Sequence, residues 1–140
     1  MTTALVDAFT MAMVSRPLTP PVSPTVLIAD DDDDVRDVIA YKLQMAGFRT
    51  LSADNGRSAL TIAKEQKPKV IVMDVSMPQL DGLAVCRELR ACPQTAEVPV
   101  LIISGTHTGD AGLGDDFLPK PFSQVEMLRR VNWLLMSAGR

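Results

Sequence analysis

From residue 26 onward the apolar positions alternate between two rhythms. Short apolar runs, Val26-Leu27-Ile28-Ala29, Val70-Ile71-Val72-Met73 and Val98 to Ile103, read as strands covered on both faces. Phe48 to Ser52 and Asp116 to Pro119 complete a set of five. Between them, apolar residues recur three and four apart, the helical spacing. The spacing predicts a helix from about Asp33 to Ala46, with Val35, Val38, Ile39 and Leu43 inward and a stop at Gly47. A second, capped by Asn55, runs to about Gln66 on Ala59, Leu60, Ile62 and Ala63, and Pro68 ends it. Leu83, Cys86 and Leu89 mark a third that runs out near Cys92-Pro93. The last opens on a capping box, Ser123-Gln124-Val125-Glu126, and is expected to bury Val125, Leu128, Val131 and Leu135.

Strands alternating with helices predict βαβ units with right-handed crossovers and a parallel sheet covered on both sides. The expected architecture is α/β, a flavodoxin-like doubly wound five-stranded parallel sheet in the order 2-1-3-4-5. One interval breaks the rule. Between Ser104 and Asp116 lie 11 residues, four of them glycine, with Leu113 the single large apolar side chain. A parallel crossover normally takes a dozen residues or more, and glycine costs a helix about 1 kcal/mol per position. The helix of that crossover, the fourth in such a fold, is therefore expected to be shortened to about one turn or missing.

Residues 1–24 stand apart as a tail and Pro-rich linker, carrying Pro17, Pro20, Pro21 and Pro24, and residues 25–140 as the domain. Leu5, Phe9 and Met13 fall four apart, so a short amphipathic helix is the alternative for the tail. No positive charge precedes Arg16, which argues against a secretory signal. A net charge of −3 and a pI near 5.0 argue against nucleic-acid binding by phosphate neutralisation. No apolar run approaches the roughly 18 residues of a membrane span. Cys86 and Cys92 lack metal-binding spacing and read as thiols of a reducing cytoplasm.

The chemistry gathers at the carboxyl ends of the strands, where open α/β sheets bind ligands. Strand one delivers Asp30 and Asp31, strand three Asp74, strand four Ser104, and strand five is followed by Lys120. Asp74 taken singly could cap the next helix. In the expected order these strands are neighbours and their side chains converge. Carboxylates so gathered repel one another unless a cation sits among them, and oxygen ligands without His or Cys favour Mg²⁺ or Mn²⁺. A carboxylate between a divalent ion and an ammonium is arranged to bind or accept a phosphoryl group. Asp32, Asp33 and Asp34 read as helix cap and first-turn charge, and His107 as a loop residue.

Four segments in order resemble the receiver domains of two-component response regulators, over about Thr25 to Met136. They are Val26 to Asp32, Val72 to Gly82, Ile102 to Gly105, and Asp116-Phe117-Leu118-Pro119-Lys120-Pro121-Phe122. The resemblance implies that Asp74 accepts a phosphoryl group from a sensor histidine kinase or phosphotransfer protein. It implies Mg²⁺ on Asp31, Asp74 and the backbone carbonyl of Ser76, with Asp30 acting through water. Lys120 would contact the phosphate, and Ser104 and Phe117 would be the switch pair. Ser76 and Thr106 would help set the phosphoryl lifetime. The chain is expected to act as a single-domain signalling protein, not a classical enzyme, that catalyses its own phosphorylation and dephosphorylation and signals by contact with a downstream protein. A degenerate receiver that binds without phosphorylation, or a phosphate sink, is the alternative. A haloacid dehalogenase-like phosphatase would need a second Asp where Ser76 stands. The short interval after Ser104 puts the family's usual output face, around its fourth helix, in question.

Overall fold

The computed structural model describes residues 23–105 and 114–138. The described chain runs β1 (Thr25–Ala29), α1 (Asp33–Met45), β2 (Arg49–Ala53), α2 (Gly56–Gln66), β3 (Val70–Asp74), α3 (Gly82–Ala91), β4 (Val100–Ser104), β5 (Asp116–Pro119) and α4 (Gln124–Ala138). All strand pairs are parallel, in the order β2-β1-β3-β4-β5. This is the expected doubly wound sheet. Four helices are present among the described residues. The shortened-helix expectation falls on residues 106–113, which lie outside the described residues, as do Thr106, His107 and the Leu5–Phe9–Met13 spacing.

Alternation along the strands builds two cores. Leu27, Ile71, Met73 and Ile102 face α2 and α3, packing on Ala59, Ala63, Cys86 and Leu89. Val26, Ile28, Val72, Leu101 and Ile103 face α1 and α4, packing on Ile39, Leu43, Met127 and Val131. β1, β3 and β4 are buried on both sides, which is why their sequences read as continuous apolar runs.

Two strands begin later than their apolar runs, each for a hydrogen-bonding reason. β2 starts at Arg49 because the Phe48 N–H donates to Leu43 O (3.0 Å) and Gly47 N–H to Gln44 O (3.0 Å), closing α1 with Gly47 at φ 97°. β4 starts at Val100 because the Val98 N–H is held by Thr95 O (3.2 Å) and Pro99 has none to give. Two apolar residues expected inside are outside: Val38 is 47% and Val125 66% exposed. At about 100° per residue, Val38 lies roughly 120° around α1 from the Ile39–Leu43 direction. Val125 is likewise displaced from the Met127–Val131–Leu134 stripe that α4 buries. Leu128 and Leu135 flank that stripe half-buried.

Candidate functional site

Asp30 follows β1 directly and every hydrogen-bonding group it has is engaged. Its N–H donates to Ala53 O (3.1 Å), and its Oδ1 accepts the Asp32 N–H (2.9 Å). Its Oδ2 accepts Lys120 Nζ (3.2 Å), and its carbonyl oxygen accepts Arg36 Nη1 (2.7 Å). Asp32 in turn caps α1, taking the Asp34 and Val35 N–H groups. The Asp30–Asp31–Asp32 turn is thus held at both ends, with the Asp31 carboxylate exposed between.

Asp74 ends β3, paired in register with Ile103 and almost wholly buried. Behind it the chain turns sharply: Gln79 takes a φ of 70°, the Gly82 N–H donates to Val75 O (2.8 Å), and Asp81 caps α3. A Cβ at Gly82 would lie 2.4 Å from Asp74 O, so only glycine lets α3 start this close to the strand end. Gly56 plays the same part on the other side. A Cβ there would meet Leu80 O at 1.7 Å, so the loop behind Asp74 rests backbone to backbone on the start of α2.

Lys120 is set by its own backbone, whose N–H donates to Ser104 O (2.8 Å) where β4 and β5 end. Its Nζ then reaches both Asp30 Oδ2 and Asp74 Oδ2 (3.5 Å). Ser104 is buried at the end of β4, opposite Pro119, and Ser76 is exposed two residues past Asp74. Phe117 sits opposite Ile102, half-buried against the α2–α3 core. The structure therefore gathers Asp30, Asp31, Asp74 and Lys120, with Ser104 at the adjoining strand end and Phe117 two residues further back.

One carboxylate oxygen from each of Asp30, Asp31 and Asp74 lies within 4.8 Å of the others. Burial pushes the Asp74 carboxyl up, the Asp30 charge adds to this, and Lys120 only partly opposes it. Lys120 is raised: burial works against its charge, and Asp74 and Asp30 outweigh burial. One ammonium does not offset three carboxylates, and the donors are all oxygen, so the cluster fits a hard divalent cation.

Beside Lys120 runs an apolar groove of about 490 Å³, lined by Asp34, Val35, Val38, Lys120, Pro121 and Phe122. It continues into exposed Val38, Tyr41 and Met45, which fall on one face of α1. This surface is not legible in the sequence, where Val38 shares the helical spacing of the inward residues. Arg36 shows there only as a lone cation inside an acidic run.

Residues 26–132 match the family model of the response regulator receiver domain. The chain is 42% identical over 123 residues to the transcriptional regulatory protein PrrA of Mycobacterium tuberculosis, covering 84% of this chain and 52% of that protein. It is 36% identical over 124 residues to the DNA-binding dual master transcriptional regulator RpaA of Synechocystis, covering 84% and 51%. The chain thus spans about half the length of these curated relatives. Among solved structures, the receiver domain of Francisella response regulator 1452 aligns with a TM-score of 0.76 at 37% identity, covering 82% of this chain and 98% of that one. The receiver domain of the sensor histidine kinase PA1611 of Pseudomonas aeruginosa, with magnesium in its active-site cleft, aligns with a TM-score of 0.75 at 28% identity, covering 81% and 98%.

Proposed function

We propose, starting from a chain that belongs to the response-regulator receiver family, that Asp74 is a phosphoacceptor loaded by a histidine kinase or phosphotransfer protein. Receivers of two-component systems are signalling modules, not classical enzymes. The observation that carries the proposal is the Lys120 ammonium shared between Asp30 and Asp74 within the three-carboxylate cluster. In the transfer, an Asp74 Oδ attacks phosphorus, the O–P bond forms, and the P–N bond of the donor phosphohistidine breaks. The bond's electron pair stays on the imidazole nitrogen, which takes up a proton. Lys120 holds the acceptor carboxylate in place and meets the charge of the equatorial oxygens, while Asp30 holds Lys120.

Asp31, Asp74 and the Ser76 carbonyl would hold Mg²⁺, or Mn²⁺, with Asp30 acting through water. The ion would neutralise charge on the transferring group. Ser104 would bond a phosphoryl oxygen and Phe117 would follow it inward, carrying the signal to a downstream protein. Hydrolysis of the acyl phosphate at the same site would end it. The donor would seat along Val38, Tyr41 and Met45 and in the groove beside Lys120, an apolar strip leading to the acceptor. A cytoplasmic, reducing setting suits the free thiols of Cys86 and Cys92. No helix among the described residues is long and apolar enough to cross a membrane.

Incubation with a small acyl phosphate and Mg²⁺ is expected to add one phosphoryl group to the wild type, read by intact mass, and none to Asp74→Asn. A wild type that stays unlabelled would establish the degenerate-receiver reading instead.

A further inference from the structure

Arg36 takes no part in the chemistry above, yet its guanidinium reaches into the site. It lies in the first turn of α1, where the helix dipole disfavours a cation. The side chain nevertheless folds back over that end, only 15% exposed, and donates to the Asp30 carbonyl oxygen at 2.7 Å while pairing with Asp33. Asp33, Asp37 and Asp54 surround its charge.

The consequence falls on Asp31. A residue's carboxylate direction is set first by the two rigid peptide planes that flank it. The plane between Asp31 and Asp32 is fixed by the Asp32 N–H on Asp30 Oδ1. The plane between Asp30 and Asp31 is fixed on its carbonyl side by Arg36. We propose that Arg36 is a positioning residue for the cation site, fixing the Asp30–Asp31 peptide plane and so aiming the Asp31 carboxylate at the ion. This rests on the reading that Asp30, Asp31 and Asp74 hold a divalent cation. Two effects of opposite sign compete. Removing the guanidinium removes a positive charge near the ion, which favours binding, and frees the peptide plane, which disfavours it. Because Asp33 already pairs that charge, freeing the plane dominates.

The experiment titrates the protein with Mg²⁺ alone by calorimetry, alongside backbone NMR in EDTA. Arg36→Met is expected to weaken Mg²⁺ binding about tenfold, the usual effect of losing a group that orients a ligand. Its Asp31 and Asp32 amide signals should broaden or shift without metal, while signals from β3 and β4 stay put. Arg36→Lys, which keeps the charge and one donor, should recover part of the loss, and Asp33→Asn should stay within about twofold of wild type. Unchanged or tighter Mg²⁺ binding by Arg36→Met, with unmoved amides, overturns the proposal. If that variant does not fold, the wild type decides: its Arg36 guanidinium protons should exchange slowly and shift on adding Mg²⁺, and fast exchange with no shift overturns it. A wild type that binds no Mg²⁺ defeats the cation-site reading itself, and the metal-free amide signals then still report whether Arg36 orders the turn.

Discussion

Asp74 is buried as a charged group beside another carboxylate, and its protonation records the strain. Its carboxyl is raised above the ordinary value of 3.8, by burial first and Asp30 second. The folded, metal-free protein therefore holds that proton more tightly than the unfolded chain does, and stability falls as pH rises between the two values. The penalty is absent below 3.8 and complete above the raised value. Asp74→Asn is accordingly expected to be more stable than wild type in EDTA near pH 7. That advantage should shrink to nothing toward about pH 4, as thermal melts across the range would show. A constant advantage at all pH values would mean that Asp74 ionises as an ordinary carboxylate. Its place was legible in the sequence as the carboxylate that closes an apolar run. Its partners were legible only as a list of strand ends, since Lys120 stands 90 residues from Asp30.

At the scale of elements, the loop from Val75 to Asp81 is wedged between two glycines. In the sequence Gly82 is only the last residue of the Val72 to Gly82 segment, and Gly56 only the residue after the Asn55 cap. Its need for glycine comes from Leu80, whose carbonyl fills the place of a side chain. Gly56→Ala should push the loop away and cost about 1–3 kcal/mol, the range of overpacking, and slow acyl-phosphate labelling of Asp74 in step. Chemical denaturation and labelling rates check this, and an unaffected labelling rate would detach the loop's seat from the acceptor. The helix caps at Asp32, Asn55 and Asp81 form as local chemistry requires. Helix facing was less legible. Val38 and Val125 are apolar residues on the outer side of their helices, and apolar spacing by itself does not tell a buried stripe from an exposed one.

For the whole molecule, the sheet order places β1, β3, β4 and β5 side by side, so their ends share one edge. The exposed strip on α1 leads along the outside of the same edge to Lys120. If the phosphodonor seats there, Val38→Lys should slow transfer from a donor protein about tenfold, equivalent to losing roughly 1.4 kcal/mol of contact. Labelling by a small acyl phosphate, which needs no such surface, should stay within about twofold. Equal slowing with both donors would place the defect in the site instead.

The sequence by itself determined the elements, the parallel character of the sheet and which carboxylates and lysine stand at the strand ends. These follow from local periodicity, turn residues and the clustering of charge at strand ends, all carried within a few consecutive residues. The tertiary structure decided which groups meet. One ammonium bridges Asp30 and Asp74, a guanidinium from α1 holds the Asp30 carbonyl, and a backbone carbonyl closes over Gly56. Each of these contacts joins separate elements, so its geometry exists only once the sheet and its helices have packed.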